Sequence, residues 1–293
     1  MGHHGAVPEL PEVEALVQFL GERAAGHVIT QVSVGAISAL KTVSPASSDL
    51  VGRTVTSAQR HGKWIDLATA AGPHLVVHLA RAGWLRWYEQ APATPVRPGR
   101  SPLAVRVLLD DGSGFDLTEA GTRKRLAVHV VADPQDVAMV ASLGVDPLGP
   151  EFTVERLAEL AAARNQQVKG LLRDQRQIAG IGNAYSDEIL HAARMSPVAQ
   201  TRSLQRPDVA RLHATTRETL RQALAVASGR PAADLKDTKR RTMQVHGRAG
   251  LPCPVCAETV REVSFADSAL QYCPTCQTDG RILADRRMSR LLH

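Results

Sequence analysis

All four cysteines of the chain fall in one short stretch, Cys253-Pro-Val-Cys256, sixteen residues, then Cys273-Pro-Thr-Cys276. Two CxxC knuckles at this separation fit a tetrahedral thiolate site for one zinc ion, with the linker free to form a hairpin. Four thiolates close the coordination sphere, so such a metal orders a small tail and has no open position for catalysis. The competing readings are four buried free cysteines or a redox pair. Zinc ribbons serve protein partners as well as nucleic acids, so the knuckles alone do not assign a function.

The rest of the chain divides by periodicity. Residues 11–25 read as a helix: Pro11 suits a first turn, Glu12 and Glu14 favour its positive end, and Gly26 can end it. Val13, Leu16, Val17 and Leu20 make its apolar stripe. Short β-rich runs follow at 27–34, 64–67, 74–79, 103–109 and 126–131, with Asp110-Asp111-Gly112 as a hairpin turn. Residues 90–102 hold four prolines and read as a surface loop. Beyond Gly149 the pattern turns helical: Thr153 caps a helix bearing Leu157 and Leu160, and further helices are expected at 168–172, 187–193 and 208–227. A basic loop over 229–247 leads to the cysteines.

The expected fold class is α+β: a β-sandwich domain with a helix over 8–131, a helical domain over 150–228 and a zinc-binding tail over 245–293. With 293 residues, 44% hydrophobic but only 3% aromatic, the core must be packed by aliphatic side chains. No apolar run approaches a membrane span, and residues 1–7 lack the hydrophobic stretch of a signal peptide, so a cytosolic location is expected. Lys and Arg exceed Asp and Glu by 35 to 29, a net charge of +6 compatible with a polyanionic partner.

Two further segments carry chemistry. In Gln177-Ile-Ala-Gly-Ile-Gly-Asn183-Ala-Tyr185-Ser-Asp187-Glu188, the glycines make a tight interhelix turn whose N–H groups can approach a phosphate, and Asn183 can cap the next helix. An ordinary helix hairpin is the alternative. Near the start stands Pro8-Glu9-Leu-Pro-Glu12-Val-Glu14, whose carboxylates alone read as helix-dipole partners.

Taken in order, PELPEVE, the Gly62-Lys63 strand, GIGNAYSDE and the two-CxxC finger resemble the formamidopyrimidine-DNA glycosylase/endonuclease VIII family of bacterial DNA glycosylase/AP lyases. The resemblance implies a helix–two-turns–helix module, one structural zinc and a monomer, nucleoid-associated, acting on damaged double-stranded DNA without membrane contact. It implies that Pro8, as the mature N-terminus, attacks the sugar C1′ through its amine. Glu9 then protonates the ring oxygen or shuttles protons, Glu12 supports that network, and Lys63 contacts phosphate and assists β-elimination. Asn183 holds a phosphate, Tyr185 supports the turn, and Lys169 lies near the lesion pocket, into which the damaged base is flipped.

Several positions depart from the family pattern. Met1–Val7 precede Pro8, and an internal proline nitrogen is an amide that forms no Schiff base. A GTG start at Val7, a tag or overlong reading frame, or a catalytically silent relative each account for this. Ser268 replaces the finger arginine linked to δ-elimination. Arg81, in His78-Leu-Ala-Arg81-Ala-Gly83, stands where a methionine fills the strand. The Asp-Pro-Arg-Arg-Phe-Gly turn is replaced by basic residues 117–125, and residues 229–244 are short for a base-capping loop.

Overall fold

The computed structural model describes residues 7–92, 94–97, 99, 101–120, 124–265 and 269–284. They form two compact units, the first made of residues up to 142 together with 224–239, the second of 143–223 and 240 onward.

The first unit opens with α1 (Leu10–Arg23) and continues through β1 (Ile29–Val34), β2 (Val55–His61), β3 (Trp64–Thr69), β4 (His74–His78), β5 (Gly83–Tyr88), β6 (Leu103–Leu109), β7 (Gly114–Glu119) and β8 (Ala127–Val131). These pair into two antiparallel four-stranded sheets, β1-β6-β7-β5 and β2-β3-β4-β8. Val13, Leu16 and Leu20 of α1 are fully buried in the core with side chains from both sheets. Each such burial contributes roughly 1.5–3 kcal/mol, as an upper bound. Gly112, at φ +85°, makes the turn expected between β6 and β7. Across that pair, Arg106 lies opposite Asp116 and donates to both carboxylate oxygens, at 2.7 and 2.8 Å. The proline-bearing segment forms no strand or helix at its described positions.

After α2 (Ala138–Ala141), the second unit builds α3 (Val154–Ala163), α4 (Val168–Arg173), α5 (Asn183–Ala192) and most of α6 (Arg206–Ala227), whose last residues from Leu224 belong to the first unit. Thr153 caps α3 as expected, its hydroxyl accepting from Arg156 N–H at 3.0 Å. The cap of α5 differs from expectation: Gly182 occupies it, and Asn183 is the first helical residue. The expected basic loop is likewise not all loop, because α7 (Leu235–Thr242) lies inside it, with Leu235, Thr238 and Lys239 buried on one face. The tail carries a hairpin, β9 (Arg261–Ser264) with β10 (Ala269–Tyr272), and the short α8 (Pro274–Thr278). No described helix is long and apolar enough to cross a membrane.

Candidate active site and nucleic-acid interface

Pro8 is buried directly ahead of α1, and Glu9 and Glu12 are 1% and 2% exposed. Glu9 sits in extended conformation at the helix cap, and its N–H donates to Glu12 Oε2 at 2.9 Å. Pro11, lacking an N–H, fits the first turn, where no intrahelical acceptor exists. Two carboxylates buried this closely require a cation. Lys239 of α7 supplies it: Nζ lies 2.8 Å from Glu12 Oε2, 3.7 Å from Glu9 Oε1 and 2.8 Å from the Val7 carbonyl oxygen.

The third acid of the motif ties α1 to the next functional residue. Glu14 Oε2 accepts from Arg60 Nε at 2.6 Å, and Arg60 also donates to the Gly62 carbonyl. Gly62, at φ +57°, and Lys63 form the two-residue turn joining β2 to β3, so Lys63 stands at a hairpin tip with restricted backbone. Buried Asp66 of β3 contacts His61 Nε2 of β2 at 3.1 Å and His74 Nδ1 of β4 at 2.7 Å. Beside Lys63, His78 is held as a neutral ring: burial first, then the lysine charge, lowers its pKa to about 4. Its Nδ1 accepts from Ala80 N–H at 3.2 Å, which puts the proton on Nε2.

Arg81 is exposed at the tight turn between β4 and β5. There Gly83 N–H donates to the Leu79 carbonyl, and a Cβ at position 83 would come within 2.0 Å of that oxygen. Of the basic segment that replaces the intercalating turn, residues 121–123 lie outside the described residues. Its far end is tied back to buried Glu119, whose Oε1 accepts from the N–H groups of Arg125 and Leu126.

In the helical unit, the turn before α5 is organised by Gln175. Its Oε1 accepts from Gly180 N–H at 2.8 Å and its Nε2 donates to the Ile181 carbonyl at 2.7 Å, with Gly180 at φ +90°. Asn183 Nδ2 donates to the Ala269 carbonyl of β10 at 2.8 Å, while its buried Oδ1 has no protein partner among the described residues. Tyr185 is buried. Lys169 is buried too; its ammonium donates to the Asn183 carbonyl at 3.2 Å, to Ser186 Oγ at 3.0 Å and to Asp187 Oδ1. The other oxygen of Asp187 contacts His246 Nδ1 at 2.8 Å. Glu188 accepts from three successive N–H groups, Gln244, Val245 and His246, which fastens the chain after α7 to α5.

The four cysteine sulfurs converge within 4.8 Å of one another. Separations of 4.0 Å for Cys253–Cys276, 3.3 Å for Cys256–Cys273 and 3.5 Å for Cys256–Cys276 bracket the value a zinc ion requires. That value is about 3.8 Å, for tetrahedral ligands at about 2.3 Å from the metal. Burial pushes the Cys273 thiol up to about 11, whereas a backbone hydrogen bond at Glu258 lowers Cys256; thiolates gathered this closely take a divalent cation as counter-charge. His191 of α5 sets Nε2 3.3 Å from Cys253 Sγ, a brace of the kind that orients metal ligands. Ser268 lies outside the described residues.

Sequence reasoning did not single out Lys239, Gln175, His191 or Arg60. A signal existed for Lys239: Leu235, Thr238, Lys239 and Thr242 recur at helical spacing within the basic stretch.

Comparison with known proteins agrees with this layout. The chain matches the formamidopyrimidine-DNA glycosylase N-terminal domain over residues 7–128, the H2TH domain of the same enzymes over 143–232, and a zinc finger found in FPG and IleRS over 250–278. It is 36% identical to the formamidopyrimidine-DNA glycosylase of Symbiobacterium thermophilum, covering 96% of this chain and 93% of that protein. The structure of the MutM (Fpg) protein from Thermus thermophilus superposes with a TM-score of 0.78 at 28% identity, over 92% of this chain and 98% of the other. Lactococcus lactis Fpg in complex with DNA containing an abasic site shares the fold, with a TM-score of 0.81 at 23% identity over 92% and 99%. With its sheet unit, its helical module and its four-cysteine finger all matched, the chain belongs to the formamidopyrimidine-DNA glycosylase family, the DNA-binding, DNA-repair glycosylases.

Proposed function

We propose that the protein removes oxidised bases from damaged duplex DNA and cuts the resulting abasic strand, with Pro8, as the mature N-terminus, forming a Schiff base. The observation that carries this reading is the buried acid pair Glu9–Glu12 placed directly behind Pro8. The secondary amine attacks C1′; the bonds from C1′ to the base and to O4′ break. The amine proton and one from Glu9 go to the departing base and to O4′, leaving an iminium on C1′. Loss of a C2′ proton then expels the 3′-phosphate, and Lys63 balances the phosphate charge. An α-amino group titrates near 8, so a useful neutral fraction exists at pH 7.

In this reading residues 8–131 are the catalytic domain, 150–228 the DNA-binding module and 245–293 the finger. Asn183, Tyr185, Lys169 and Arg81 serve the DNA contact, Lys169 and Tyr185 by holding the α5 turn, and Asn183 through the carboxamide beside it. Cys253, Cys256, Cys273 and Cys276 hold one zinc, whose chemistry is structural. The protein works as a monomer in the bacterial cytoplasm, on the nucleoid.

A second reading has its own observation. Val7 is joined to Pro8 and its carbonyl is held by Lys239, so a chain retaining Val7 is a noncatalytic binder of damaged DNA. Mass spectrometry of the native N-terminus, with borohydride trapping on abasic duplex DNA, separates the two. Trapping by a chain that begins at Pro8 supports the lyase; no covalent adduct from that chain refutes it.

A further inference from the structure

Lys239 is 4% exposed, lies at the end of α7 that belongs to the sheet unit, and meets three acceptors at the start of α1. Its contacts are unequal. Glu12 and the Val7 carbonyl each lie at 2.8 Å, within hydrogen-bond range, whereas Glu9 at 3.7 Å is an ion-pair neighbour only. Glu12 is thereby held directly by the ammonium, with Glu9 beside it at ion-pair distance.

Removal of Val7 changes what Lys239 faces. A carbonyl oxygen lies about 2.3 Å from the next backbone nitrogen, so an ammonium 2.8 Å from the Val7 oxygen is within about 5 Å of the Pro8 nitrogen. A cation so close disfavours protonation of an amine, offsetting the two carboxylates, which favour it. Several other charged groups on the neighbouring elements have partners of their own. Glu14 pairs with Arg60, Asp66 with His61 and His74, and Lys236 Nζ rests 4.4 Å above the ring of Trp84. Lys63 stands on the β2–β3 turn.

We infer that Lys239 is a positioning residue for the amine chemistry proposed above: it anchors Glu12, sets Glu9 beside Pro8 and keeps the Pro8 amine unprotonated. The inference rests on the Schiff-base reading. The test uses the chain from Pro8 to His293, which retains every helix and strand described, and compares it with Lys239→Met and Lys239→Arg. Single-turnover borohydride trapping on abasic duplex DNA is followed from pH 5.5 to 9, with duplex affinity measured in parallel. Lys239→Met is expected to slow trapping at least tenfold at pH 7, to recover as the pH rises, and to alter affinity less than threefold; Lys239→Arg restores most of the rate. An unchanged rate and pH profile overturns the inference, as does an equal loss of rate and affinity with a lowered melting temperature, which marks a packing role. If the unsubstituted chain does not trap, the lyase reading itself fails, and the role of Lys239 with it.

Discussion

His78 shows how a single side chain records its surroundings. In the unfolded chain its ring takes a proton near pH 6.5, but in the fold only near 4, because burial and the Lys63 charge disfavour the cation. The unfolded state therefore binds the proton first, and the stability present above pH 6.5 is lost as pH falls towards 4. Melting temperatures between pH 7 and 4.5 should drop less steeply in His78→Gln than in the parent; equal slopes would refute the assignment. Ser268 carries a prediction of a different kind. A serine offers one neutral hydrogen bond where the family's arginine presents a charged fork. A Pro8-started chain should then stall mainly at β-elimination product, and Ser268→Arg should increase the δ-product. End-labelled abasic DNA on a gel reads the ratio, and dominant δ-product from the parent would reject the idea.

Among the elements, the β6–β7 pair has the clearest energetic consequence. Arg106 and Asp116 are both buried, and Tyr88 OH donates to the same carboxylate at 3.1 Å. Asp116→Ala leaves a buried guanidinium without its counter-charge, at a cost of about 3–5 kcal/mol. Urea unfolding should show it as a lowered midpoint, and a loss under about 1 kcal/mol would mean the arginine finds water. This pair also shows where sequence reading stops. The strand 103–109 and its Asp-Asp-Gly turn were legible because alternation and turn chemistry are local. The pairing of Arg106 with Asp116 depends on register and was not. Likewise α1 was readable from its stripe, whereas α7 was hidden in charge: its mean composition is polar, and only the packing against α1 selects which lysine is buried. The thiolate site needed nothing but spacing, while the acid pair gained its cation from 227 residues downstream.

At the scale of the molecule, the finger is a dependent structure. Among the described residues, small apolar clusters underlie it, around Val245 and Val260 and around Val263 and Leu270. Cys253→Ser with Cys256→Ser should release zinc and melt the tail while the two sheets keep their amide protection, read by metal analysis and hydrogen exchange. A folded zinc-free tail would reject the assignment. His191→Ala, which removes the brace on Cys253, should weaken zinc binding about 10- to 100-fold; unchanged affinity in a chelator competition would show the contact to be incidental.

The sheet unit is discontinuous along the chain, and this sets a clock. Ala227, Ala232 and Leu235 enter its core, and Lys239 meets Glu12, only after the helical stretch has been made. At roughly 5–20 residues per second, translation delivers Lys239 some 11 to 45 seconds after Glu12, a gap of 227 residues. During that interval a nascent chain started at Pro8 carries Glu9 and Glu12 without the ammonium of Lys239 that meets them in the fold. On the inference above, the amine of such a chain is more protonated, and so less reactive towards cellular aldehydes, until residue 239 emerges, and the nucleophile gains its full reactivity only in a nearly finished protein.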